Sequence, residues 1–301
     1  MKIDLHQYKS LVLPFALVAG YFCRQLCATV AFTVPYAIFL ILILTFSSVK
    51  LRSLRPSRLD FIVALFQAVV SAAIYVGIYF TTSNIVLAQG AMMCVLCPVA
   101  SSVTVVSVML GAKRERTVSY TIVGNLVVSV LAPLYFTLID EAGNIDFLQT
   151  FLQILLKISS AIALPVFAIY LLQQFAPKVN AYIARYQGLS FYLWAYALFV
   201  TIGQTADFVV ERWASDSHNI ARLLGISFAL CMLQFAVGKK AGACCGDKIA
   251  GGQIMAQKNS AIGIWMLNTF LNPIASVALA GYSIAQNLFN SWQLYRNSRK
   301  R

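Results

Sequence analysis

Ionised side chains are scarce in this chain of 301 residues: Asp, Glu, Lys and Arg together make up 11% of it, against about 25% in a soluble globular domain. Histidine is scarcer still, with His6 and His218 the whole complement. No Asp or Glu is expected deep within the apolar runs, so there is no carboxylate pair and no nucleophile with a base beside it. A membrane enzyme is therefore a poor reading. The seven cysteines are odd in number, and Cys23, Cys27, Cys94, Cys97 and Cys231 lie in or near apolar runs. Packing suits them better than a disulfide framework. Cys94 and Cys97 form a C-x-x-C with no metal-type partners, so no metal site is expected, and adjacent Cys244 and Cys245 read as a reducing cytoplasmic connection. The run from Gly242 to Lys248 lacks the spacing of a phosphate loop and reads as a flexible connection.

What the chain has instead is apolar surface, with 60% of residues hydrophobic. Ten helical spans at about 20 residues each fit within its length and leave no room for a separate soluble domain. An ATP-driven pump carrying its own nucleotide domain, a water-soluble enzyme and a nucleic-acid binder are all poor readings. The runs fall at about 10–28, 30–48, 59–81, 84–112, 117–139, 147–175, 188–208, 219–238, 248–270 and 272–293. The first has a polar lead-in, an interruption at Arg24 and no convincing cleavage site, so it is expected to be a mature span.

The net charge of +13 is explained by where the charges fall. Connections after the second, fourth, sixth and eighth runs carry Lys50, Arg52, Arg55 and Arg58; Lys113, Arg114 and Arg116; Lys178 and Arg185; and Lys239, Lys240 and Lys248. The C-terminus adds Arg296, Arg299, Lys300 and Arg301. The positive-inside rule places these in the cytoplasm, and an even count of spans puts Lys2 and Lys9 there too. The opposite connections hold Asp140, Glu141, Asp146, Asp207, Glu211 and Asp216. The expectation is a multi-pass protein of the inner (plasma) membrane with both termini cytoplasmic. Its basic tail anchors topology and touches anionic lipid rather than nucleic acid, and no protein partner is implied.

Two runs are interrupted. The fourth, IVLAQGAMMCVLCPVASSVTVVSVMLGA, contains Pro98, which cannot donate a backbone hydrogen bond, followed by Ser101, Ser102 and Thr104, which can satisfy freed backbone groups or face a ligand. Alone this reads better as a simple proline kink, which is common in membrane helices. The ninth, DKIAGGQIMAQKNSAIGIWMLNTFL, carries Gly251, Gly252, Gln253, Gln257, Lys258 and Asn259 at mid-span. A lysine there costs about 2.5–3.5 kcal/mol on insertion scales, so something must compensate it. The two runs are fourth of the first five and fourth of the second five, and an odd number of spans per half forces opposite orientations. Paired Gly- or Pro-interrupted segments at matching positions of an inverted repeat mark a secondary transporter with a midplane site.

Over most of its length, and most specifically at CPVASSVTVVSVMLGAKRERTVSYTIVGNLVVSVLAP (97–133) and GGQIMAQKNSAIGIWMLNTFLNP (251–273), the chain resembles the bile acid:sodium symporter family. The resemblance implies an all-α integral membrane fold. Ten transmembrane helices form two inverted five-helix repeats (1–143 and 144–301, within one transporter domain), helices four and nine are broken and cross, and panel (one, two, six, seven) and core subdomains flank a substrate crevice. It implies inward movement of an organic anion, bile-acid-like or a small carboxylate or sulfate, by alternating access. Carried over residue by residue, Ser101 and Asn259 fall at substrate-contacting places, with Ser102, Gln257 and Lys258 beside them. Val103, Thr104, Thr117 and Thr121 fall at the first sodium site, whose helix-nine carboxylate is here Ile254 with Gln253 adjacent. Gln67 fits the second sodium site, but its helix-nine glutamine partner is here Lys258.

Na⁺ wants oxygen ligands, preferably a carboxylate, and an ammonium in the same place repels it. No cofactor is called for, then, and of the candidate coupling ions Na⁺ is disfavoured. Lys258 is expected to serve as a surrogate cation opposite an anionic substrate, as the half-helix N-termini do by their dipoles. Two other roles stay open: a proton site that couples transport to H⁺, and a structural hydrogen bond to carbonyls of the helix break. Gln89, Asn125, Ser129, Asn268 and Asn272 read as interhelical glue, Lys157 as snorkelling to an interface, and Tyr192, Trp194 and Trp292 as interfacial belt. The alternatives in function are an arsenite-type exporter using Cys94 or Cys97 as soft ligand, disfavoured by the missing carboxylate, and a membrane sensor that binds ligand without moving it.

Overall fold

The computed structural model describes residues 15–16, 18–140, 143–213 and 216–299. Lys2, Lys9, Glu141, Lys300 and Arg301 of the charge argument, and the beginning of the first run, lie outside the described residues. Helical turns over 18–22 lead to Cys23, then α1 (Arg24–Val30), a 3-10 turn at Ala31–Thr33 and α2 (Val34–Ser47). There follow α3 (Arg58–Thr82), α4 (Ile85–Leu96), α5 (Val103–Leu110), α6 (Arg114–Ile139) and α7 (Phe147–Phe175), then α8 (Pro177–Arg185) and α9 (Leu189–Trp213). The chain closes with α10 (Ser217–Cys244), α11 (Lys248–Ala256), α12 (Ser260–Phe270) and α13 (Ser276–Ser298). Among the described residues there is no strand, and the β pairing is a single antiparallel bridge between Val99 and Lys258.

Polar residues at the run boundaries start the helices by taking the first free N–H groups. Ser57 and Asp60 form a reciprocal capping box on α3. Asn84 caps α4, Asp146 α7, Asp216 α10, Asp247 α11 and Asn259 α12. Asp60, in the first turn of α3, is only 1% exposed, and its Oδ2 accepts from the Ser57 amide and the Ser119 hydroxyl of α6.

The outward faces are apolar. Leu126, Val130, Leu134 and Leu138 make an exposed stripe along α6 at four-residue spacing, and only 17% of the most apolar window of α3 is buried. Water would penalise that arrangement and a bilayer stabilises it, so the protein is an all-α membrane protein. Among the described residues five continuous stretches are long and apolar enough to cross a bilayer, and α7, bent by 48° between Ile158 and Ala161, adds a sixth. Three other expected spans fail that test for physical reasons. Two are broken into the short helices α4 with α5 and α11 with α12. α13 is polar because Ser283, Gln286, Asn287, Asn290 and Ser291 face the protein interior rather than lipid.

Three boundaries differ from expectation. Arg24–Ser47 is one stretch of 24 residues, so the first two runs part at Cys23 and not near residue 29. Cys27 Sγ donates to Gly20 O (3.9 Å) and Phe199 O (3.6 Å), and a Cβ at Gly20 would strike that same Phe199 carbonyl. Both sides of Cys23 thus meet α9 at one level. α9 runs on past Asp207, which pairs with Arg24 at 3.3 Å. Finally, Gly251 and Gly252 do not break the ninth run. They sit inside α11, and a Cβ on Gly251 would strike Gly238 O and the Gly242 backbone of α10. Their use is close packing of the α10–α11 hairpin.

Candidate functional site

The two interruptions meet. Between α4 and α5 the chain leaves the helix around Pro98 and runs extended to Ala100 before a turn at Ser101 and Ser102, and between α11 and α12 Gln257–Asn259 is likewise extended. The segments run antiparallel and exchange backbone hydrogen bonds: Ala100 N to Gln257 O (3.0 Å) and Asn259 N to Pro98 O (2.7 Å). Each break satisfies the other's freed groups, as membrane-embedded irregular backbone requires. A lone proline kink would need no such partner.

The last four carbonyls of a helix lack intrahelical donors, and at the end of α4 side chains supply them all. Gln234 Nε2 reaches Cys94 O (3.0 Å), Lys258 Nζ reaches Val95 O (2.8 Å), and Gln67 Nε2 reaches both Leu96 O (2.6 Å) and Cys97 O (2.9 Å). Gln67 is fixed in turn by the Tyr120 hydroxyl (3.1 Å). At the end of α11, Tyr282 OH donates to Ala256 O (2.7 Å), and Gln286 brackets Lys258, accepting from its N–H (2.8 Å) and donating to its carbonyl (3.1 Å). Lys258 is 3% exposed. Its ammonium rests on the negative end of α4, where helix dipole and free carbonyls favour a cation. Gln67, expected at an ion site, caps the same helix end.

Three cavities follow one another past the crossover. A small central one, about 90 Å³, is bounded by Ser101, Ser102, Lys258, Asn259, Ser260, Gln286 and Trp194. Toward the basic end of the bundle lies one of about 180 Å³, reached by Thr104 and Arg114. Toward the acidic end lies the largest of the three, about 590 Å³. It shares Ser101 and Asn259 with the central cavity and adds Tyr36, Phe39, Gln204, Lys157 and Trp265.

Of the residues expected in a substrate site, the fold brings Ser101, Ser102, Lys258 and Asn259 to the central cavity. Asn259 spends its side-chain oxygen capping α12 (Ile262 N, 3.3 Å). Gln257 gives its carbonyl to the crossover, and its amide donates to Gln253 Oε1, while Gln253 donates to Asn290 Oδ1 at 3.2 Å. Thr117 and Thr121 are buried and donate to Arg114 O and Thr117 O within α6. Cys97 Sγ is directed at Asn259 O (3.1 Å). Among the described residues no group of three or more His, Cys, Asp or Glu is placed to hold a metal ion.

One aromatic assignment changes. Trp194 is buried beside the crossover rather than in an interfacial belt, whereas Tyr192 and Trp292 are about half exposed. Lys157, expected to snorkel, has its Nζ 4.9 Å from the Trp265 ring centroid at the large cavity. Gln286, Asn287 and Asn290 went unremarked in the sequence, although a cluster of amides in the middle of the last apolar run is a signal that could have found them. Gln89 accepts from Asn272 N across elements, as interhelical glue would, whereas Asn125 and Ser129 donate to backbone oxygens of their own helix, α6. Asn268 is exposed.

Against models of known families, residues 59–212 match the one described as Sodium Bile acid symporter family, a stretch that runs from α3 into α9 and takes in the first break. No curated protein matches the chain.

Proposed function

The chain belongs to the sodium bile acid symporter family, and on that premise we propose that it is a secondary active transporter of an organic anion, bile-acid-like or a small carboxylate or sulfate. The antiparallel crossover of two broken helices carries this reading, since paired half-helix ends at a shared cavity are what a midplane transport site requires. We read the whole as ten spans in two inverted repeats, 1–143 and 144–301, lying in the plasma membrane with both termini cytoplasmic. The panel is α1, α2, α7 and α9 with the helical turns before Cys23, rocking against the rest. Membership of a transporter family, and spans without catalytic groupings, favour transport over catalysis.

Coupling is where this chain parts from the family's name. The α4 end offers carbonyl oxygens of the kind Na⁺ would take, and Lys258 already occupies one. We read Lys258 as a built-in cation that caps the end of α4 and adds positive potential at the central cavity, with Ser101, Ser102 and Asn259 around the substrate and Gln257 supporting the crossover beside them. Gln67, Thr117, Thr121 and Gln253, with hydrogen bonds of their own to backbone and amides, and Thr104, at the wall of the 180 Å³ cavity, are left as remnants of ion sites. A proton moving on and off Lys258 is the alternative coupling.

Counterflow in proteoliposomes loaded with a panel of bile-acid, carboxylate and sulfate anions tests the assignment, because exchange needs no coupling ion. Accumulation of external labelled anion against the internal load is expected, in choline as well as in sodium. Binding without counterflow would instead identify a sensor. Lys258→Gln should weaken anion binding or restore sodium dependence; a variant unchanged in both would refute the built-in cation.

A further inference from the structure

A hollow of about 480 Å³ lies apart from the three cavities of the crossover and shares no described lining residue with them. Ile122 and Val123 of α6 form one wall, and Ala163, Val166 and Phe167 of α7 form the other. Ser119 and Tyr170, each nearer the basic end of its helix, bring the hollow up to the connection between α2 and α3, which contributes Arg52. Phe167 is 60% exposed, and the exposed stripe of α6 starts at Leu126, one turn beyond Ile122. The hollow therefore opens onto the apolar outer surface that meets the bilayer.

Arg52 is held at the basic end of this groove by α7. Gln173 Oε1 accepts from Leu51 N (3.3 Å) and Gln173 Nε2 donates to Val49 O (2.7 Å), which fixes the turn that carries Arg52. One turn earlier on α7, the Tyr170 hydroxyl accepts from Arg52 Nη2 (3.3 Å), with the guanidinium 5.7 Å from the ring centroid. A guanidinium has five N–H donors in a fork that matches phosphate oxygens. Arg55 and Arg58 are exposed close by in sequence, and no carboxylate is among the described lining residues. An apolar groove at the depth of acyl chains, with an arginine fork at the depth of headgroups, is complementary to both parts of a lipid.

We propose that this groove is the seat of an anionic phospholipid from the leaflet at the basic end of the bundle. Its phosphate binds the Arg52 guanidinium, and its upper acyl chains lie along Ile122, Val166 and Phe167. The lipid is a resident ligand and not cargo, because the groove is separate from the crossover cavities. It touches α6, α7 and the α2–α3 connection at once, so it joins elements from both halves of the chain.

The test uses the full chain in detergent, mixed with equal amounts of phosphatidylglycerol and phosphatidylcholine bearing identical chains, with retained lipid read by native mass spectrometry. The first lipid kept by wild type should be phosphatidylglycerol by about tenfold, as a charge-assisted contact to phosphate would give. Arg52→Gln should abolish that preference, whereas Arg299→Gln, in the basic C-terminal segment, should leave it unchanged. Ala163→Trp, at an exposed position of the groove wall, should fill the groove, lower retention of both lipids and melt with wild type. An Arg52→Gln protein that keeps the preference, or an Ala163→Trp protein that binds as wild type does, would overturn the proposal. Displacement of the lipid by glycerol phosphate alone would assign Arg52 to a free phosphate and overturn the lipid as occupant. None of these readings involves transport, so their failure leaves the proposed function untouched.

Discussion

The two broken helices do the same job by different means. The first break is made by an imino acid, Pro98, and then left bare: Ser102 at the N-terminus of α5 makes no side-chain capping bond. The second contains no proline and is held by side chains, with Asn259 capping α12 and Gln286 gripping the Lys258 peptide from both sides. The helix ends leading into the breaks differ in a related way. α4 ends on four carbonyls met by two glutamines and an ammonium; α11 ends on Ala256 O, met by a neutral tyrosine. The charge of the site therefore comes from the second break and is delivered to the end of the first. A symmetric scaffold has been made electrostatically one-sided.

Removing that asymmetry should have the largest effect. Lys258→Met leaves Val95 O without a partner, at about 1–3 kcal/mol, but also removes a buried charge whose insertion costs about 2.5–3.5 kcal/mol. The balance is near zero or favourable, so the melting temperature should hold or rise while anion transport falls at least tenfold. Pronounced destabilisation with unimpaired transport would make the lysine a structural bond only. Next comes Gln67→Leu, which orphans two carbonyls at once and should destabilise by roughly 2–6 kcal/mol, taking about 1–3 for each; denaturation with and without the substitution reads this directly.

Smaller effects sharpen the contrast between the break N-termini. Asn259→Ala removes a helix cap worth about 1 kcal/mol and should lower substrate affinity as well; unchanged binding would take Asn259 out of the site. Ser102→Ala removes no capping bond, so stability should stay within about 0.5 kcal/mol of wild type. If the two substitutions cost the same in melting experiments, the difference between the breaks is not energetic.

The breaks themselves were legible because the sequence must break a rule to make them. Pro98 cannot sit quietly in a helix, and Gln257-Lys258-Asn259 cannot sit quietly in lipid. What the breaks pair with was less legible. That Lys157 and Trp265 share a cavity, or that Trp194 backs the crossover, depends on which face of each helix meets which neighbour, and no local pattern carries that. Gly251 and Gly252 misled for a specific reason: glycine serves both to interrupt a helix and to let two helices touch, and only the position of Gly238 and Gly242 on the facing helix decides which. α13 was expected as a span, yet its amides give it the hydropathy of a surface helix, since hydropathy cannot tell a helix sheathed in protein from one in water.

The central claim is that Lys258 occupies a place at the crossover that a sodium ion would otherwise fill. Its most direct test is the melting temperature of the purified protein as sodium chloride replaces choline chloride at constant ionic strength. An ion that binds only the folded state raises stability by mass action. The account predicts a flat line for wild type. A saturable upward shift with sodium would contradict it.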